Sequence, residues 1–571
     1  MIRCRKKYPG KNTSAIIIMD NQRLLLFVAL SVVILLLWQA WQKDFGTPPS
    51  TTAPPTSAES AVPSASDVPA SPATGQKSTK APAPAATTVP ADAGLDKGER
   101  IHVQTDVFLA VIDTRGGDLR DVKFPRYPVS VDHPDQPFQL LNDDTAKIFV
   151  AQSGLLSSTV APDHHAQYRA AHQEYKLADG AAELKVPLMW VSDQGVTVTK
   201  TYTFHRGSYV VDVAFDIANN GKQEWTGRQY RQLERARVER ASRFVYTFIG
   251  GAVSSTENKY QKLSFDEMKK EAFSRDLHGG WAAMVQHYFL AAWVPGQQET
   301  NHYYTKSLGD DLYVLGLSSA EQTVPPGGKG EFSSRLYIGP KLQDHLAAVA
   351  PNLERTVDYG KLTFIAQPIF WLLKHLHDLL GNWGWSIILL TMFIKLAFYK
   401  LSAASYRSMA NMRRMQPKMA QIRERYGDDR QRMSQAMMEL YKKEKINPLG
   451  GCLPIVVQIP VFISLYWVLL GSVELRQADF IFWIQALSTK DPYYVLPLIM
   501  GVSMFAQQRL SPAPPDPIQA KVMMALPVVF TLFFAFFPAG LVLYWVVNNV
   551  LSIAQQWYIT RSLEKATAKK G

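Results

Sequence analysis

The chain has 571 residues, 61 Lys and Arg against 49 Asp and Glu, and a net charge of +12, which suits nucleic acid or an anionic membrane surface. That length allows several domains. Its two cysteines, Cys4 and Cys452, leave no disulfide framework or CxxC metal site. Residues 1–18 are basic and irregular, and Met19 offers a second start, so they read as a misassigned start or a dispensable tail. Residues 19–43 follow as an N-terminal anchor. From Leu24 to Trp41 only Ser31 and Gln39 interrupt an apolar run long enough to cross hydrocarbon. Trp38 and Trp41 stand at its end in place of a small-residue cleavage site, which favours an uncleaved anchor over a removed signal peptide.

Residues 44–98, rich in Pro, Ala, Ser and Thr, cannot bury a core and read as a linker. The pattern changes over 99–345. "VTVTKTYTF" (196–204) alternates at period two, "SYVVDVAFDI" (208–217) follows a turn, and 108–124 gives two strands around Gly116-Gly117. These predict an antiparallel β-sandwich. Residues 346–383 hold a linker and an amphipathic helix over 364–380. Lys374, His377 and Asp378 fall on one side of it, and Leu372, Leu376, Leu379 and Leu380 on the other, so it is expected to lie flat at a membrane interface.

Membrane spans are predicted at 384–402 and, within 448–559, at 450–472, 493–509, 521–537 and 540–558, making six with the anchor. Between the second and third lies a segment, 403–447, with eleven basic and five acidic residues. With the N-terminus and the basic tail 560–571, it lands on one side of a six-span bundle, and the positive-inside rule makes that side cytoplasmic. The β-domain then lies outside, in the periplasm of a Gram-negative cell. Topology thus accounts for the charge. No RNP, helix-turn-helix or zinc-finger pattern supports direct, sequence-specific nucleic-acid binding. The 403–447 segment reads as a helical hairpin broken at Gly427-Asp428-Asp429, and its methionines, Met412, Met415, Met433 and Met437 among them, recur at helical spacing. Such a stripe is either the seam between two helices or an adaptable surface for apolar clients.

Lys395 lies inside the second span, about 15 Å along the helix from Trp385. A lysine at the centre of a span costs about 2.5–3.5 kcal/mol on insertion scales. It either snorkels to headgroups or faces a wet cavity. Thr391 one turn earlier, Gln458 on the third span and Asn548 and Asn549 on the sixth favour a cavity, with ordinary interhelix hydrogen bonds the alternative. Apart from their ends, the spans carry no Asp or Glu, and no P-loop, HExxH or GxSxG motif occurs. No catalytic residue, metal site or cofactor is therefore expected, and the chain does not read as an enzyme.

The segments "GNWGWSIILLT" (381–391), "MQPKMAQIRERYGDDRQRMSQAMMELYKKEKINPLGGCLPIVVQIPVF" (415–462), "DPYYVLPLIMGVSMF" (491–505) and "FPAGLVLYWVVNN" (537–549) resemble the YidC/Oxa/Alb family of membrane protein insertases, in its Gram-negative form with a large periplasmic domain. The resemblance implies a five-helix core with a hydrophilic groove open to cytoplasm and lipid. It puts Lys395 where relatives most often carry arginine, and Lys400 where many carry proline. The groove residues expected are Lys395, Thr391, Gln458, Asn548, Asn549, Tyr544 and Trp545, with Met412, Met415, Met433 and Met437 meeting clients at the hairpin. The partners implied are nascent membrane proteins, the Sec translocon, the ribosome and anionic lipids, at the bacterial inner membrane with both termini cytoplasmic. Two rival classes remain: a small-anion transporter or channel, and an envelope carbohydrate-binding or -modifying protein.

Overall fold

The computed structural model describes residues 97–238, 248–309, 311–426, 429–444, 453–511 and 517–568, with Pro69 and Leu95. The expected tail at 1–18, the anchor at 19–43, nearly all of the linker, and both cysteines lie outside the described residues.

Two sheets, of eleven and nine strands among the described residues, build the β-domain. Strand Val196–His205 alternates buried and half-buried positions along its whole length. It turns through Gly207, at φ 70°, into Val210–Asn219, with Phe204 opposite Val211. Period two puts Val198, Tyr202, Phe204, Val211, Val213 and Phe215 on one face, and all are fully buried. Each such side chain contributes about 1.5–3 kcal/mol from apolar burial. In the other sheet, Trp225–Ala236 runs between Phe149–Ser157 and Leu312–Ser318. Lys200 ties the sheets together: its ammonium donates to Gly116 O at 3.0 Å and Ser153 O at 2.9 Å. The predicted turn at Gly116-Gly117 joins Leu109–Asp113 to Asp118–Ser130. A Cβ at Gly116 would lie 2.3 Å from His164 O. The antiparallel expectation has one exception, the parallel pairing of Arg100–Gln104 with Glu174–Lys176.

The helices are α1 (Phe265–Lys270), α2 (Gln343–Val349), α3 (Thr363–Leu380), α4 (Trp383–Ala397), α5 (Tyr399–Arg414), α6 (Gln416–Tyr426), α7 (Arg430–Lys443), α8 (Leu453–Gly471), α9 (Val495–Leu510), α10 (Pro517–Phe534) and α11 (Ala539–Ala568). Helix α4 packs on α3 and α11, α9 on α10 and α11, and α3 on α8. No single helix among the described residues is long and apolar enough to cross a membrane alone; α4 and α5 meet that composition only together, bent by 68°.

Three expectations change here. The span predicted at 384–402 is not one helix but breaks at Phe398, where the backbone leaves helical geometry. Beyond the break, Ala403 and Tyr406 pack with Ile559, so α5 follows α11 rather than continuing α4. The first arm of the predicted hairpin at 403–447 also breaks, at Met415. Pro417 lacks an N–H and its ring crowds the carbonyl four residues back, which stops the preceding helix. The hairpin proper is α6 and α7, clasped by Lys418 Nζ to Glu444 Oε1 at 2.7 Å. Finally, α3 buries Ile369, Phe370, Leu373 and Leu376 while Leu379 is 77% exposed. Its packing stripe is rotated from the predicted one because it must seat against α4 and α8.

The β-domain meets the helices through the segment after α8. Arg476 donates to Pro128 O at 2.7 Å and Val129 O at 3.2 Å, and lies over the rings of Phe138, Tyr288 and Phe289. His287 Nε2 is 2.8 Å from Leu470 O; burial pushes its pKa down to about 4, so the neutral ring donates.

Candidate substrate groove

The polar groups of the helical region converge on one cavity of ≈ 350 Å³. Helix α11 contributes Asn548, Ser552 and Gln556, spaced four apart and so on one face. Lys395 comes from α4; Ser402, Ser405, Tyr406 and Met409 from α5; Gln458 and Phe462 from α8. Met504, Gln507 and Gln508 of α9 and Met523, Leu526 and Pro527 of α10 line another side.

Lys395 is half-buried, and its ammonium donates to Ser552 Oγ at 2.7 Å. Ser552 in turn donates to Asn548 O at 2.6 Å, which orients its lone pairs toward the ammonium. Gln458 Nε2 donates to Asn548 Oδ1 at 2.6 Å and reaches Tyr544 Oη at 3.4 Å. Asn549 Nδ2 donates to Ser503 Oγ at 3.0 Å. Trp545 stands edge-on to Phe462, with ring centroids 4.6 Å apart. The result is a chain of amides and hydroxyls with one cation, walled by aromatic and methionine side chains.

Of the seven groove residues expected from sequence, six line this cavity: Lys395, Gln458, Tyr544, Trp545, Asn548 and Asn549. Thr391 does not. It is fully buried, and its hydroxyl donates to Ile387 O of its own helix at 2.7 Å. Met412, Met415, Met433 and Met437 are half-buried on α5 to α7 and at the break between them, outside the cavity lining. Ser552 and Gln556 were missed, although their spacing from Asn548 marked them. No carboxylate lines the cavity, so Lys395 has no acid partner there. No group of three His, Cys, Asp or Glu able to hold a metal occurs among the described residues. Without a base, nucleophile or metal, this arrangement holds polar chain rather than reacting with it.

Comparison with known proteins agrees across the whole length. A family model described as "YidC periplasmic domain" matches residues 100–372, and one described as "60Kd inner membrane protein" matches 375–566. A membrane protein insertase YidC of Thioalkalivibrio sulfidiphilus (strain HL-EbGR7) is 54% identical over 567 residues, covering 97% of this chain and 100% of that one. The chain belongs to the YidC family of membrane protein insertases. Another member, from Nitrosococcus oceani (strain ATCC 19707 / BCRC 17464 / JCM 30415 / NCIMB 11848 / C-107), is 52% identical over 549 residues, covering 96% of this chain and 100% of that one. A solved structure of an active YidC insertase overlaps at TM-score 0.40 and 18% identity, over 82% of this chain and 94% of that one, too distant to add to the sequence matches. The division of the YidC family members into a periplasmic domain and an inner-membrane part coincides with the change from sheets to helices here.

Proposed function

We propose that this chain inserts nascent proteins into the inner membrane, with the cavity around Lys395 as the groove that receives their polar flanks. The observation that carries this is a lone ammonium among amides and hydroxyls on converging apolar helices. Such a site lowers the cost of bringing polar chain into hydrocarbon. The apolar client segment then leaves into lipid, favoured by about 25 cal/mol per Å² of apolar surface removed from water. No step in this needs nucleotide hydrolysis by the chain.

On this reading there are six spans: the anchor, the broken pair beginning with α4, and α8 to α11. Both termini and the α6–α7 hairpin face the cytoplasm, and the β-domain faces the periplasm. Met412, Met415, Met433 and Met437 meet the client before the groove does. The Sec translocon, the ribosome and anionic lipids are the further partners. The test is depletion in cells followed by protease protection of small membrane proteins whose polar flank must cross. Rescue by the wild-type chain supports the reading. Normal insertion after depletion would refute it, as would purified protein in liposomes passing small anions but inserting no client.

A further inference from the structure

The β-domain holds a second cavity, of ≈ 310 Å³, at the lower end of the size range of ligand pockets. Its floor is Arg231 and Gln229, each only 1% exposed, on the strand Trp225–Ala236. Its mouth carries Glu299 and Glu331, both exposed, with Gln322 and Phe332 half-buried between. Arg231 Nη2 donates to Asn301 Oδ1 at 3.0 Å, but its Nε and Nη1, Nε2 of Gln229 and Oε1 of Gln322 meet no hydrogen-bond partner. No carboxylate among the described residues lies within ion-pair distance of Arg231. Buried polar groups are normally satisfied, and a buried cation is normally paired. Lys200 in the same domain obeys that rule, with two carbonyls and Asp118 around its ammonium.

The charges are arranged as a dipole, positive at the floor and negative at the mouth. A simple anion is drawn by Arg231 but repelled by Glu299 and Glu331. A simple cation meets the reverse. We propose that this cavity binds a small zwitterion of the α-amino-acid class, carboxylate inward on Arg231 and Gln229, ammonium outward between Glu299 and Glu331. Phe332 offers an apolar wall for its side chain, and Gln322 an acceptor. The site is separate from the groove around Lys395, and insertion does not depend on it.

The test is calorimetric titration of the full-length protein in detergent with glycine, alanine, serine and leucine. Alaninamide, which lacks the carboxylate, propionate, which lacks the ammonium, and a neutral hexose serve as controls. At least one amino acid should bind saturably below about 10 mM. Alaninamide and propionate should each bind at least about tenfold more weakly than alanine or not at all. Arg231→Met should abolish binding. Because that buried change can unfold the domain, Glu331→Gln and Gln322→Leu are read beside it. Each should weaken binding about threefold or more with thermal unfolding unchanged. No saturable binding by any of the four amino acids would overturn the proposal. So would hexose or propionate binding as tightly as alanine, or binding unaltered in both rim variants.

Discussion

Replacing Lys395 offers the sharpest test of the groove, because its charge is the only one in the cavity lining. A client carboxylate entering the cavity would stand roughly 6 Å from Nζ. At an effective dielectric near 20 that attraction is about 3 kcal/mol; in bulk water it falls to about 0.7 kcal/mol. The cavity is polar but walled by Phe462, Trp545 and Met504, so the effect belongs between these limits. Occupancy of the groove by an acidic flank should therefore fall somewhere between about threefold and a hundredfold in Lys395→Ala. Lys395→Glu replaces attraction with repulsion of similar size, so its loss should be the largest. Lys395→Arg should stay active, since attraction at this range does not require a planar fork. The fold should tolerate the alanine change: Ser552 keeps its bond to Asn548 O, and Gln458 keeps Asn548.

The assay is protease protection in depleted cells carrying each variant at equal abundance, with paired clients whose translocated flanks are acidic or neutral. The expected order for acidic flanks is Lys ≈ Arg, then Ala, then Glu, with little spread for neutral flanks. Wild-type insertion of acidic-flank clients by both Ala and Glu variants would reduce Lys395 to a snorkelling lysine. An equal defect for neutral flanks would show that the lysine props the helices instead.

Arg476→Ala should loosen the β-domain from the helices by about 1.5–3 kcal/mol, since it removes charge-assisted bonds to Pro128 O and Val129 O; faster amide exchange around 128–130 reads this, and unchanged exchange refutes it. Gly384→Ala should lower the unfolding temperature, because a Cβ there would lie 2.0 Å from the Phe480 ring and overpacking costs typically 1–3 kcal/mol; equal melting would show that the ring moves freely. Glu474 should make stability fall as pH rises. Burial pushes its pKa up to about 7, with Lys374 opposing and Asp344 reinforcing the shift. The folded state thus holds the proton more tightly than the unfolded one, so stability is full below the ordinary carboxyl range and is lost as pH climbs toward 7. Glu474→Gln should flatten that slope in denaturant unfolding between pH 5 and about 8; an unaltered slope would assign it to other groups.

What the sequence revealed follows the range of the interaction. Strand Val196–His205 was legible because alternation is a local property, and the turn at Gly207 sits between two such runs. The break at Met415 was equally local, announced by Pro417, yet the methionine spacing runs through it and hides it. The bend at Phe398 has no glycine or proline to announce it. Its cause is Ile559, more than 150 residues onward, which claims Ala403 and Tyr406 for α11. Lys395 was found because a cation in an apolar run is conspicuous, but its partner Ser552 was not, since a serine in a helix is unremarkable until something faces it. Thr391 shows the same limit from the other side. Four-residue spacing gives it the azimuth of Lys395 but not the same depth, and one turn farther along α4 the neighbouring helices close over it. Sequence period therefore assigns a residue to a face, while the crossing of other helices decides where along that face the cavity opens. Here α5 bends away from α4 at Phe398, and the cavity lies beside that bend, with Lys395 on one side of the break and Ser402 and Tyr406 on the other. A straight continuation of α4 would carry Ser402 and Tyr406 away from α11, so the break that the sequence hid is what assembles the groove around the lysine that the sequence displayed.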